Sequence, residues 1–424
     1  MRRTFSIISL GCFRNTYDSE ILIPQFTNQG YVFTPPASLF INNKKKTNTV
    51  DLLIVNTCGF IDNAKKESLK VIAEAVDLKK KARVRKIIVL GCLVKRYQKE
   101  LENSFPLIDE WQGLVEFGRG FTKRGKLSFS SQKSFLKICE GCLNRCSFCA
   151  IPLIKGSLRS KFSQEIIKEV RYLDKQGVAE LNIIGQDITS WGKDFKPKGD
   201  LTELLREVLK VTKNIRWIRL IYTHPKHFTN SLIELIAGEE RICKYIDLPI
   251  QHINDRILKL MNRGITRKQT IDLVRRIRKG IPDCVIRSSV IVGFPTESEK
   301  EFKELLDFLK DIKFERLGGF IYSREEGTQA YRLSPQVHPN TKKRRLNQVM
   351  EQQQKIANEA NKRFLNKKLN VLIEAKDSDA IIARSQYDAP DVDGAVFLNK
   401  KGLKIGDFYR AKIIDCLDYD LVGQ

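Results

Sequence analysis

The sequence predicts an α/β fold in three parts, and three observations carry that prediction. Up to about residue 125, short apolar runs alternate with helical patterns. From 126 to 363, six further strand–helix units follow one another. From 364 to 424, only short β-rich runs separated by turns remain. Strands alternating with helices imply a parallel sheet covered on both faces. Six such units make an open, partial (βα)6 barrel of the TIM-like kind, with active groups on the loops after the strands. Several short strands in about sixty residues suggest a small all-β barrel. The domains are therefore 1–125, 126–363 and 364–424, within the two to four expected for 424 residues.

In the first segment, 5–10, 51–56 and 86–90 read as buried strands, and 18–29 and 62–81 as helices. Each strand runs into a cysteine: Cys12, Cys58 and Cys92. Ligands gather at the carboxyl ends of strands in a parallel α/β sheet, so these three thiols converge on one edge. One cysteine there reads as a small buried hydrophobe; three at the same topological position read as a metal site. The polar stretch 34–49, with Pro35-Pro36 and Lys44-Lys45-Lys46, reads as an exposed loop without chemistry.

In the second segment the strands are 135–138, 180–185, 217–222, 245–248, 284–292 and 317–322. Helices fall at 164–176, 201–213, 231–237, 268–279 and 299–312, and a long basic helix at 341–363 closes the segment. Its opening run, Lys342-Lys343-Arg344-Arg345, reads as a solvated face. The loop after the first strand holds Cys142, Cys146 and Cys149 at x3 and x2 spacing. Thiolates are the usual protein ligands of a 4Fe–4S cluster, and three of them leave one iron for a non-protein ligand. Two other readings use the same loop with Cys139: a structural zinc, or a closed ferredoxin-like cluster. Zinc ribbons pair two knuckles about fifteen to twenty residues apart, so the short gap here disfavours zinc.

In the third segment, 369–374, 380–384, 394–398 and 407–417 read as strands. Ten cysteines in a chain of this size do not form the disulfide framework of a small secreted domain. No apolar run reaches the roughly eighteen residues needed to cross a bilayer, and the N-terminus reads as a first strand and not an export signal. A reducing cytoplasm and no membrane partner are expected. The net charge of +25 fits either a lysine-rich surface or attraction to a polyanion such as RNA or a ribosome. From 366 to 424 there are nine Lys/Arg against ten Asp/Glu, a net of −1, leaving +26 for the rest. Such a tail suits a basic protein better than phosphates.

Cys142-x3-Cys146-x2-Cys149, with Phe148 before the last thiol, resembles the signature of radical S-adenosylmethionine enzymes. With Cys12, Cys58 and Cys92, and with the runs 9–20 and 55–61, the chain resembles the methylthiotransferases, which carry two 4Fe–4S clusters and a C-terminal TRAM domain. Asp247-Leu248-Pro249-Ile250-Gln251-His252, Tyr322-Ser323-Arg324-Glu325-Glu326-Gly327-Thr328 and Asp388-Ala389-Pro390-Asp391-Val392-Asp393-Gly394 are similar to the RimO type, which acts on ribosomal protein S-twelve. The alternative is the MiaB type, which acts on tRNA adenosine. Leu143 stands where the family usually has Asn, Phe13-Arg14 where Pro-Lys is common, and Lys155 and Lys161 where arginines are usual. Arg and Lys are not equivalent at bidentate sites, which puts the contacts of those positions in question.

The resemblance implies that Cys142, Cys146 and Cys149 hold the cluster that binds and cleaves S-adenosylmethionine. Cys12, Cys58 and Cys92 would hold a second cluster that delivers sulfur to the β-carbon of an aspartate in ribosomal protein S-twelve. An electron donor is a required partner. Phe148 and Gln186, on mouth loops, are the candidates for contacting the cofactor, each with local packing as the plainer role. Asp388, Asp391 and Asp393 are expected to pair with basic residues of the ribosomal protein, at about 0.2–1 kcal/mol per exposed pair. The four histidines, His224, His227, His252 and His338, form no zinc pattern in sequence. Cys139, Cys243, Cys284 and Cys416 read as structural.

Overall fold

Leu52, Leu53, Ile54 and Val55 are all buried, as a strand covered by helices on both faces requires. In the computed structural model, which describes residues 2–36, 49–125, 132–377, 380–400 and 402–424, this run lies at the centre of a five-stranded parallel sheet. Its strands are β1 (Thr4–Ser9), β2 (Val32–Phe33), β3 (Val50–Thr57), β4 (Val84–Gly91) and β5 (Glu110–Trp111), in the order β2-β1-β3-β4-β5. Register places Ser9 beside Asn56 and Thr57 beside Gly91, so the chain leaves all three central strands at one edge. Helices Phe13–Asn28, Asp62–Lys80 and Cys92–Ser104 follow. The first starts at Phe13, five residues before the expected position, and the third was not foreseen. Residues 37–48 of the expected polar loop lie outside the described residues.

The barrel strands appear where the apolar runs placed them. β6 (Lys133–Lys137) is followed by a short antiparallel pair, β7 (Cys139–Glu140) and β8 (Arg159–Ser160), which clips the two ends of the cysteine loop together. β9 (Glu180–Ile184) pairs in parallel with β6 and with β10 (Trp217–Leu220). β11 (Tyr245–Asp247), β12 (Val285–Val292) and β13 (Arg316–Ile321) form the other parallel half. The halves join through a parallel bridge from Ile218 to Ile242, while β6 and β13 remain unpaired with each other among the described residues. The six strands thus form the expected open barrel. Leu136, Ile183, Ile218, Ile246 and Ile286 meet the outer helices in one continuous core. Two of those helices, Arg267–Gly280 and Glu299–Ile312, start with capping boxes, Thr266 with Gln269 and Ser298 with Glu301. The long helix Pro339–Lys362 packs along β13. Its basic opening is only partly a solvated face. Arg345 is buried, donating to the Glu297 carbonyl and to Glu299 at 3.2 and 3.0 Å.

The last segment is a closed barrel of β14 (Lys368–Lys376), β15 (Ile381–Ser385), β16 (Val396–Leu398), β17 (Phe408–Cys416) and β18 (Leu421–Gly423), in the order β14-β15-β16-β18-β17. It seals the floor of the large barrel. Trp217, Tyr245 and Val285, at the starts of β10, β11 and β12, share one apolar cluster with Val371, Val396 and Ile413. This placement corrects the expectation for the three aspartates. Asp388 is buried and accepts two bonds from Arg316, at 2.7 and 2.8 Å, and one from Ser385 at 2.8 Å. Asp393 accepts from the Tyr245 hydroxyl at 2.6 Å and from Arg287 at 3.2 Å. Only Asp391 is exposed, and it pairs with Lys133 at 2.8 Å. All three carboxylates fasten the small barrel to the large one, and Asp388 and Asp393 are not open to a basic partner. The arginines that claim them lie 72 and 106 residues away in sequence.

Candidate active site

The loop from Gly141 to Leu158 projects from the mouth of the barrel, held mostly through its backbone and Asn144. Ser147 donates its amide to Met261 at 2.9 Å and its hydroxyl to Leu260 at 2.7 Å, and its carbonyl accepts from Ala330 at 2.8 Å. Asn262 donates to the Arg145 carbonyl at 2.7 Å. Arg263 donates to Cys146 Sγ at 3.3 Å and to the Pro249 carbonyl at 2.6 Å. Asn144 is gripped from both sides, donating to Asp187 at 2.7 Å and meeting His227 Nε2 at 3.0 Å. None of the ten cysteines forms a disulfide. Burial pushes the thiols of Cys142 and Cys149 up to about 11 and about 12. Cys139 points away, fully buried, with Sγ toward the Asp187 carbonyl at 3.7 Å.

The other three cysteines converge as the topology requires. Gly11 lies so close to Cys58 that a Cβ there would sit 2.8 Å from Cys58 Sγ. A Cβ on Gly59 would sit 2.7 Å from Leu93 Cα and 3.0 Å from the Cys92 carbonyl carbon. Small residues thus press the three segments together. Asn15 ties the first two by donating to the Leu10 and Thr57 carbonyls at 2.7 and 3.1 Å. Ser68 holds both the amide and the carbonyl of Cys58, at 3.0 and 2.9 Å. Burial pushes Cys58 up to about 12 and raises Cys92. Burial would raise Cys12 as well, but the Arg14 guanidinium and backbone N–H groups bring it below its ordinary value. Two all-thiol trios on backbone held by hydrogen bonds fit iron–sulfur ligation.

Buried charge networks set the first domain across the barrel mouth. On the β6 side, Asp18 meets Lys137 and Lys155, and both lysines also reach Glu140, at 3.2 and 2.7 Å. Beside them Glu169 accepts from Arg124 at 2.9 Å and from Lys161 at 2.6 Å, and Lys161 donates to the Tyr17 hydroxyl at 2.9 Å. The two lysines at the positions in question, Lys155 and Lys161, thus each bond two buried partners. On the β13 side, Glu325 binds Lys65 and Arg96 at 3.1 and 2.7 Å. Phe13 stacks on Phe135 with centroids 4.5 Å apart. Cys92 packs against Ala150 and Ile154, immediately after Cys149. Arg14 donates to Cys12 Sγ and to the Gly185 carbonyl, each at 3.3 Å, and lies 4.5 Å above the Tyr222 ring.

The candidate cofactor contacts differ in setting. Phe148 packs in an apolar cluster with Ile257, Met261, Phe294 and Tyr322. Gln186 has its amide oxygen and nitrogen both buried without a partner, and such groups call for one. A grouping that the sequence did not reveal brings Asp187, His224 and His227 together, with donor atoms within 4.8 Å of one another. Two of its members, Asp187 and His227, clamp Asn144, while His224 accepts from the Lys226 amide through Nδ1 at 3.2 Å and keeps its buried Nε2 without a partner. Burial and the nearby Arg263 keep His224 neutral. Asp187 and His227 therefore work as a brace for the cysteine loop. Asn144 two residues after Cys142 was the visible signal, but its partners lie on other loops.

The comparisons with known proteins agree with this geometry. Residues 136–309 match the model of the radical SAM superfamily, 4–113 that of the uncharacterized protein family UPF0004, and 367–424 that of the TRAM domain. Over 98% of this chain and 97% of its own length, a Clostridium botulinum protein named ribosomal protein uS12 methylthiotransferase RimO is 40% identical. Proteins of the same name from Flavobacterium johnsoniae and Thermodesulfovibrio yellowstonii are 39% and 41% identical, over 100% and 99% of this chain and 98% and 99% of theirs. The chain belongs to the RimO family. It is accordingly a radical SAM enzyme of the methylthiotransferase class, as the cysteine spacing led us to expect. The fold is shared with the methyltransferase TsrM from Kitasatospora setae, solved with cobalamin and a [4Fe-4S] cluster, at a TM-score of 0.55 and 14% identity over 78% of this chain and 77% of that one. It is also shared with the cobalamin-dependent enzyme OxsB, at 0.53 and 13% identity over 84% of this chain and 56% of that one. Among the described residues no helix is long and apolar enough to cross a membrane.

Proposed function

We propose that this chain methylthiolates the β-carbon of an aspartate in ribosomal protein uS12, in the cytoplasm, using an external electron donor. One observation carries the reading: a thiol trio on the first sheet is held over the mouth of a barrel whose first loop bears a second trio. Cys142, Cys146 and Cys149 would hold one 4Fe–4S cluster, and Cys12, Cys58 and Cys92 the other. When bound, these clusters and S-adenosylmethionine supply the reducing electron, a radical able to take the β-hydrogen, and the sulfur that replaces it.

The residues of the chain bind, orient and exclude water. Arg263 and Asn144 fix the cysteine loop. Gln186 would offer its unpartnered amide to the polar part of S-adenosylmethionine, and Phe148 would form an apolar wall. The stack of Phe13 on Phe135 and the cover of Cys92 by Ala150 and Ile154 close the junction around the mouth. The near-neutral last barrel gives little hold on a tRNA backbone.

The test is substrate choice. Anaerobically reconstituted protein is incubated with S-adenosylmethionine, reductant and either small ribosomal subunits or undermodified tRNA. uS12 should gain the mass of a methylthio group and the tRNA should not. A gain on tRNA adenosine alone would overturn the proposal.

A further inference from the structure

We propose that Arg14 is the receptor for the side-chain carboxylate of the aspartate that is modified, an inference that rests on the reading above. The carbon that reacts is bonded directly to that carboxylate, so a group recognising the carboxylate must sit where the two trios face each other. Arg14 sits there. Its charge acts on Cys12, Cys58 and Cys92 of one trio and on Cys149 of the other. Its position is fixed by three contacts, to Cys12 Sγ, to the carbonyl of Gly185 on the loop after β9, and to the ring of Tyr222 after β10.

Those contacts leave the guanidinium under-used. They occupy Nε and one Nη1 donor, and Nη2 makes no hydrogen bond among the described residues. The other cations at this junction, Arg96, Arg124, Lys137, Lys155 and Lys161, each reach a carboxylate. Arg14 reaches none. Its one anionic neighbour is the Cys12 sulfur at Nε, and a planar fork with open donors at Nη2 matches a carboxylate. Arg263 also bonds a thiolate ligand candidate, Cys146, and likewise reaches no carboxylate, but both its terminal nitrogens are engaged, by Cys146 Sγ and the Pro249 carbonyl, and only its buried Nε is open. Arg14, unlike Arg263, keeps a whole terminal nitrogen, Nη2, without a hydrogen bond among the described residues. The same contact would reject a neutral nucleobase, which offers no anion to pair with the guanidinium.

The experiment uses the reconstituted full chain, wild type and Arg14→Gln, with two peptides carrying the modified segment of uS12: one with the native aspartate, one with asparagine in its place. Peptide binding is read by fluorescence anisotropy and modification by kcat/KM, with iron content measured alongside. A charge-assisted hydrogen bond is worth about 10- to 100-fold in affinity. The wild type should prefer the aspartate peptide by that factor, and Arg14→Gln should lose most of the preference through a raised KM. An unchanged preference in Arg14→Gln overturns the assignment. If Arg14→Gln loses iron, the wild-type chain and Arg14→Lys decide. Equal binding of the two peptides by the wild type overturns the proposal, and a preference kept in Arg14→Lys supports it. Failure of the wild type to modify uS12 in any form would instead sink the functional reading.

Discussion

His252 is fully buried, and its Nδ1 accepts the Asn254 amide at 3.0 Å. Burial pushes its pKa down to about 3, so the imidazole is neutral in the fold and the bond to Asn254 requires it to stay so. A histidine with a lowered folded pKa contributes stability above its unfolded pKa near 6.5, and loses it as pH falls toward 3. Between pH 7 and pH 5 that loss is about 2 kcal/mol. His252→Gln keeps an oxygen to accept the amide but cannot titrate, so its unfolding midpoint should fall less between these pH values than the wild type's. Parallel falls would contradict the argument. A single side chain can mislead when read from sequence alone. Asp388 and Asp393 looked like a basic partner's docking points because nothing nearby in sequence reveals Arg316 or Arg287.

At the scale of elements, close approach of glycine backbone brings the first trio together. Gly59→Ala would drive a Cβ into the backbone of Leu93 and Cys92, and overpacking of this kind costs about 1–3 kcal/mol. The variant should reconstitute with iron in the 142/146/149 trio and markedly less in the 12/58/92 trio, read by Mössbauer or EPR spectroscopy. Full loading of both would show that the contact does not matter. The strands were legible because buried parallel strands are continuous apolar runs. The start of the helix Phe13–Asn28 was not. Asp18, Ser19 and Glu20 resemble the polar start of a helix, yet Asp18 turns inward to Lys137, Ser19 to Ser9 at 3.0 Å and Glu20 to Arg124 at 2.8 Å. β18 was missed because three residues carry no periodicity, and only pairing with β16 and β17 makes them a strand.

At the scale of the molecule, the small barrel closes the floor and the first domain spans the mouth, so both ends of the large barrel are covered by buried ion pairs. Removing one partner from such a pair costs about 3–5 kcal/mol, whereas an exposed pair is worth at most about 1 kcal/mol. Asp388→Asn should therefore lower the unfolding midpoint sharply, and Asp391→Asn should barely move it. Equal effects would show that the small barrel is held by its apolar cluster alone. The fold class was legible in strand order, and the six cysteines proposed as ligands were singled out by their spacing and their place after the strands. The junction was not, because Asp18, Lys137, Glu140 and Lys155 meet across domains through contacts that no local pattern encodes.

The central claim is that two separate trios of thiols each hold a cluster. Anaerobic purification and reconstitution of the wild type, of Cys12/Cys58/Cys92→Ala and of Cys142/Cys146/Cys149→Ala, followed by iron and sulfide analysis, tests it most directly. The account predicts about eight irons and eight sulfides for the wild type and about four of each for either variant. A full complement in either triple variant would contradict it.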